Sequence, residues 1–281
     1  MSKRILGTLT AIALIASLSF GLPARAEGSV CLSSQSLAIN GKTEVCTKYN
    51  IDGSNYFKLR DIAYLLNGTG SEFGVGSNSS TISITTGTAY TPDGSELKTD
   101  LDEASTAVAS NMALSVDGSA VSGISAYNIG GNTYFKLRDL GGMLGFVVSF
   151  DSVSNAATVN STTTIKVSTA KDFLNAVAPD TRIVLAAGTY DLSAVDETTV
   201  TNKNVTYSDV YDGQEIIFSN IKNCIICGAG TGTTSLEIEP RYANVLNFSG
   251  CNNITIKNLT AGHTTAHGEC SGGVWWRLAL P

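Results

Sequence analysis

The stretch Tyr49-Asn50-Ile51-Asp52-Gly53-Ser54-Asn55-Tyr56-Phe57-Lys58-Leu59-Arg60-Asp61 returns as Tyr127-Asn128-Ile129-Gly130-Gly131-Asn132-Thr133-Tyr134-Phe135-Lys136-Leu137-Arg138-Asp139, at a constant offset of 78 residues. Upstream the likeness continues after a one-residue shift, with Leu37, Ile39, Asn40 and Gly41 answering to Leu114, Val116, Asp117 and Gly118. A repeat of this length means two copies of one supersecondary unit, which constrains the fold before any local reading begins. In the first copy, Asn40-Gly41 and Asp52-Gly53 separate alternating apolar runs and predict hairpin turns. A short helix over 60–66, with Ile62, Ala63, Leu65 and Leu66 on one face, ends at Asn67-Gly68, and a strand over 80–85 closes the unit. The second copy repeats the plan, with a short helix over 139–144 and strands over 147–150 and 156–159. Each copy is expected to be a small α+β domain, 27–90 and 110–162, joined by a polar, acidic linker over 91–109 with a turn at Pro92-Asp93-Gly94.

The hydrophobic-Asp/Asn-Gly step, the Tyr-Asn-Ile to Leu-Arg-Asp core, the short helix and the final Phe150-Asp151 strand resemble the copper amine oxidase N-terminal-like domain, also called the stalk domain of bacterial surface proteins. The first copy departs from it after Leu66, where Gly68, Gly70, Gly74 and Gly76 stand. The resemblance implies a spacer or wall-associated module. It does not imply copper, because the repeats hold no histidine. Arg60 and Arg138, followed by Asp61 and Asp139, fall where a strand hands over to a helix and read as structural arginines tying that helix to neighbouring carbonyls or acids.

The chain opens with Lys3 and Arg4, an apolar run from Ile12 to Phe20, and Ala24-Arg25-Ala26, the pattern of a secretory signal peptide over 1–26. Cleavage there removes three bases and no acid, taking the formal charge from -6 to -9. An acidic exported chain without a basic cluster excludes nucleic acid as a natural partner. No later stretch is long and apolar enough to span a bilayer. Export permits disulfides, and Cys31 and Cys46, flanking the first strands, form a possible bridge.

After residue 162 the texture changes to short Ile/Val-rich runs separated by Asn and Gly. Ser219-x3-Asn223-Cys224-x-Ile226 lines up with Ser249-x3-Asn253-Ile254-x-Ile256 at an offset of 30 residues, a solenoid period. Residues 169–193, which include a short helix that Ser168 is placed to cap, resemble the N-terminal cap and first turn of a right-handed parallel β-helix of the pectate-lyase-like superfamily. In that reading Asn223 and Asn253 are stacked corner residues, Cys224 faces the core and Cys227 faces out. The expected fold is therefore mostly β, with two α+β stalk domains followed over 163–281 by a C-terminally incomplete parallel β-helix. Its end, Trp275-Trp276-Arg277-Leu278-Ala279-Leu280-Pro281, reads as a truncation or frameshift, or else as a natural tail folded back as a cap.

Two groups of residues could carry chemistry. His263, His267, Glu269 and Cys270 lie close in sequence, and His-x3-His-x2-Cys has metal-ligand spacing, with loop histidines and core cysteines as the alternative. Glu237 and Glu239 are expected on one outward strand face with Arg241 and Tyr242 at the next corner. Paired acids beside an arginine could bind Ca²⁺ or a uronate or perform acid/base work on a sugar; solvated wall charges look the same. Neither resemblance supplies a catalytic motif. The leading expectation is a secreted or cell-surface protein that binds polysaccharide or cell-wall material through Arg241, Tyr242, His263 and Glu269, without a cofactor. The alternatives are a polysaccharide lyase or hydrolase using Glu237, Glu239 and His263, and an inert spacer.

Overall fold

The computed structural model describes residues 30–98, 106–264 and 278–280. The leader, the middle of the expected linker, and His267, Glu269 and Cys270 lie outside the described residues. The architecture is mostly β, with short helices and several sheets, some of them parallel. Among the described residues no helix is long and apolar enough to cross a membrane.

The first copy supplies β1 (Val30–Leu32), β2 (Ser36–Ile39), β3 (Lys42–Glu44), β4 (Lys48–Ile51), β5 (Ser54–Lys58), α1 (Leu59–Leu66), β6 (Phe73–Ser77) and β7 (Thr81–Thr86). Next come β8 (Val108–Ala109), β9 (Ala113–Val116), β10 (Ser119–Val121), β11 (Ala126–Ile129), β12 (Asn132–Lys136), α2 (Leu137–Leu144), β13 (Val147–Asp151) and β14 (Ala156–Asn160). The turns form as expected: Asn40-Gly41, Asp52-Gly53, Asp117-Gly118 and Gly130-Gly131 all have positive φ at both positions, the backbone that two-residue hairpins require.

The two copies do not fold as neighbours; they interlock. Their hairpins meet edge to edge in one six-stranded antiparallel sheet, where β5 pairs with β12 and Phe57 faces its own counterpart Phe135. That register places a local two-fold axis between the copies. It also makes two equivalent edge-on ring pairs, Tyr49 with Tyr134 at 5.2 Å and Tyr56 with Tyr127 at 5.1 Å between centroids. The closing strand of each copy then leaves to pair with the opening strand of the other: β7 lies parallel to β9, and β14 parallel to β2. A single apolar core containing Leu37, Phe57, Ile62, Phe135, Leu140 and Val159 results. The segment expected as linker also belongs to it, since Tyr90 is buried there and residues 91–98 lie back over α1.

No bridge joins Cys31 to Cys46. Both thiols are free: Cys31 is exposed on the edge strand β1, while Cys46 turns into the shared core, where burial pushes its thiol up to about 11.

The second half comprises β15 (Thr163–Val167), α3 (Ala170–Ala176), β16 (Thr181–Leu185), β17 (Gly188–Asp191), β18 (Val205–Val210), β19 (Gly213–Ser219), β20 (Lys222–Cys227), β21 (Thr234–Ile238), β22 (Asn247–Ser249), β23 (Asn252–Lys257), β24 (Leu259–His263) and β25 (Leu278–Leu280). Successive strands visit three sheets in turn and return to each one place further on. Thus β16, β20 and β23 stack in parallel in the first, β17, β21 and β24 in the second, and β19 and β22 in the third. Cys224 opposes Ile254, and Ile226 opposes Ile256, as the 30-residue offset predicted. Inward side chains of all three sheets form a second core with Phe173 and Leu174 of α3 as its lid. Thr169, not Ser168, caps that helix, accepting the Asp172 N–H at 3.0 Å. Asp180, Asn223 and Asn253, all with positive φ, form a side-chain ladder: Asn223 donates to Asp180 at 2.8 Å and Asn253 to Asn223 at 3.1 Å. At the far edge, β25 runs antiparallel along β24.

Cys227 points away from this core, as read from the sequence, yet it is buried. The outer face of β20 is covered by the preceding repeats, with Ile225 and Cys227 packed on Val147 and Lys257 donating to the Gly142 carbonyl at 2.7 Å.

Candidate functional site

The hairpin β18–β19 and the corner after β21 meet because β19 and β22 stack while β21 leads from one to the other. Asp212, in the two-residue hairpin turn, accepts the Arg241 N–H at 3.0 Å and the Tyr242 N–H at 3.3 Å, and the Arg241 Nε lies 3.5 Å from it. One carboxylate thus fixes a corner nearly 30 residues downstream. The approach is close enough to need glycine: Gly213 has φ of 154°, and a Cβ there would come within 2.5 Å of Pro240 Cγ. Below the corner, Glu215 accepts the Asn244 N–H at 2.7 Å and side-chain amides from Asn244 and Asn247. Burial works against its charge, but these bonds outweigh it and hold the carboxyl below the usual range.

Two tyrosines stand out from this scaffold. Tyr211 is 86% exposed and Tyr242 is 55% exposed, and their rings meet edge-on at 5.3 Å. The Arg241 guanidinium lies 5.1 Å over the Tyr242 ring. Beside them runs an open groove of about 520 Å³ lined by Ser193, Tyr207, Asp212, Gln214 and Glu239. The Tyr207 hydroxyl in that lining is buried without a hydrogen-bond partner, and burial, followed by the charges of Glu197 and Asp196, raises its pKa.

The structure gathers most of the sequence candidates here but in different roles. Glu239 lies past the end of β21 and is exposed in the groove. Glu237 does not share its surroundings: flanked by β17 and β24, opposite Asp191 and Gly262, it is only 8% exposed. The expected exposed pair of acids is therefore one acid. His263 is drawn under the corner, with Nε2 3.1 Å from the Ala243 carbonyl. A carbonyl can only accept, so that nitrogen carries the proton and braces the turn rather than acting as a base. Among the described residues no three His, Cys, Asp or Glu side chains are grouped to hold a metal.

The two structural arginines also diverge. Arg60 donates to the Tyr90 hydroxyl at 3.1 Å and pairs with Asp93 at 3.3 Å, while buried Asp61 accepts the Leu97 N–H at 3.1 Å. Arg138 makes no such tie among the described residues and is exposed. Sequence reading missed Tyr211, Asp212 and Tyr207; the signal available was the turn-forming Asp212-Gly213 pair, which lies at a hairpin whose tip, Tyr211-Asp212, carries an aromatic residue to the surface. No family model, curated protein or solved structure matches this chain.

Proposed function

We propose that this is an exported surface protein in which the interlocked repeats serve as a stalk for a right-handed parallel β-helix, and that the corner at Tyr211 and Tyr242 binds a neutral polysaccharide of cell-wall material. The cyclic return of strands to three sheets and the Asp180–Asn223–Asn253 ladder support the β-helix. The observation that carries the binding reading is the exposed tyrosine pair flanking Asp212, which lines the neighbouring groove. Exposed aromatic rings offer apolar faces to sugar C–H groups at low entropic cost, and Asp212, Glu239 and Gln214 supply partners for hydroxyls. Arg241 answers Asp212, but Glu239 is exposed in the groove and Glu215 is ionised beneath it, so the corner carries more acid than base and favours a hydroxyl-rich, uncharged ligand.

Retention of the mature protein on a panel of neutral polysaccharides tests this. Tyr211→Ala and Tyr242→Ala should each weaken binding by about tenfold, the loss typical of an aromatic anchor. Unchanged retention in the double variant would overturn the assignment. Release of reducing sugar that disappears in Glu239→Gln would replace binding with hydrolysis.

A further inference from the structure

The two-fold relation between the repeats produces a second pair of features. One groove, of about 240 Å³, joins Lys58, Leu59 and Arg60 of the first copy to Gly131, Asn132 and Thr133 of the second. Its counterpart, of about 400 Å³, joins Lys136, Leu137 and Arg138 to Gly53, Ser54 and Asn55. These are the same positions, exchanged between copies.

The grooves differ in what their cations meet. In the first, the chain itself answers them: Lys58 donates to the Ser95 carbonyl at 2.6 Å and lies 3.7 Å from Asp61, and Arg60 takes the Asp93 carboxylate. All of these partners except Asp61 come from the return segment over 91–98. The second copy has no return segment, because β14 passes directly into β15. There Arg138 is exposed, the Lys136 ammonium lies 5.5 Å over the Tyr56 ring, Phe150 is 46% exposed, and no carboxylate among the described residues pairs with Lys136 or Arg138 as Asp61 and Asp93 do with Lys58 and Arg60. Arg138 also lines a cleft of about 320 Å³ at the junction with the second half, which adds Lys257 and again no acid.

We infer that the Arg138 groove binds the carboxylates of an acidic polysaccharide, a polyuronate in chemical class, filling from outside the place that Asp93 fills on Arg60. Planar guanidinium suits a carboxylate fork, Gln35 and Asn55 offer amides to hydroxyls, and Phe150 gives a ring face. This site is separate from the tyrosine corner.

The test uses the full mature chain carrying Tyr211→Ala and Tyr242→Ala, so that failure at the corner does not obscure it, with polygalacturonate as the probe. Binding should be present at low ionic strength, weaken as salt rises, and fall by about tenfold in Arg138→Gln, with Arg138→Lys intermediate because it keeps charge without the fork. Lys203→Gln removes the same charge from an exposed position elsewhere and should alter binding by less than about twofold. Absence of binding, equal losses in Arg138→Gln and Lys203→Gln, or preference for polyphosphate over polyuronate would each overturn the assignment.

Discussion

Glu215 shows how single side chains set the candidate site. Its three hydrogen bonds hold residues 244–247 against the third sheet, so the tyrosine corner is built on a charge. Because its folded pKa is depressed, it contributes stability that is present above the ordinary value of 4.5 and is lost as pH falls through the folded value. Glu215→Gln should therefore melt lower at neutral pH, by about 1 kcal/mol for a half-buried group, and should lose less on acidification than the parent. Parallel pH profiles in thermal melts would dismiss this role. Asn223 carries a different kind of load: its φ of 55° suits asparagine better than most residues, and its amide bridges Asp180 and Asn253. Asn223→Gly should retain the backbone and lose the ladder, whereas Asn223→Ala should lose the ladder and add about 1 kcal/mol of strain. The ordering wild type, then Gly, then Ala in chemical denaturation is the expected result; Ala above Gly would refute it.

At the level of elements, much was legible because it is local. Asn40-Gly41 and its three counterparts dictate hairpins wherever their strands end up, and Ile62, Ala63 and Leu66 dictate a helix face. The 30-residue offset was enough to place Cys224 against Ile254. What alternation cannot say is which copy a strand pairs with, since β2 and β9 present equivalent apolar faces and either satisfies β14. It also tells which side chains share a face and not what covers that face, which is why Glu237 and Cys227 are buried where open surface was expected. The Tyr211–Tyr242 pair needed residues far apart in sequence to meet through parallel stacking, a relation no window contains. Strand exchange has a consequence for cooperativity. Phe57 and Phe135 oppose each other in register and are both buried in the shared core, so Phe57→Ala should cost about 3–5 kcal/mol and release amide protons in β11 and β14 as readily as in β4. Hydrogen exchange confined to the first copy would show two independent units instead.

At the scale of the whole molecule, the apolar contact of Val147 with Ile225 and Cys227 joins the two cores. Around it, Lys257 reaches the Gly142 carbonyl, Thr162 Oγ1 donates to the Gly145 carbonyl, and Gly145, at φ of 83°, leaves room that any Cβ would take from the Arg182 side chain. Burial and the charge of Arg182 lower the Lys257 pKa, so the ammonium sits there at a cost, and the carbonyl is its partner. These contacts tie the repeats to the second half. Val147→Asp replaces this apolar contact with a carboxylate without touching either core, and the expected outcome is two calorimetric transitions where the parent shows one. The cysteines provide an internal check, because Cys227 lies in the junction while Cys224, three residues earlier on β20 and on its opposite face, lies in the second core. Alkylation followed by peptide mapping should show Cys227 becoming reactive in Val147→Asp while Cys224 stays protected and Cys31 reacts in both proteins. Equal protection of Cys227 in parent and variant would mean that the junction does not depend on this contact and that the polar links around it suffice.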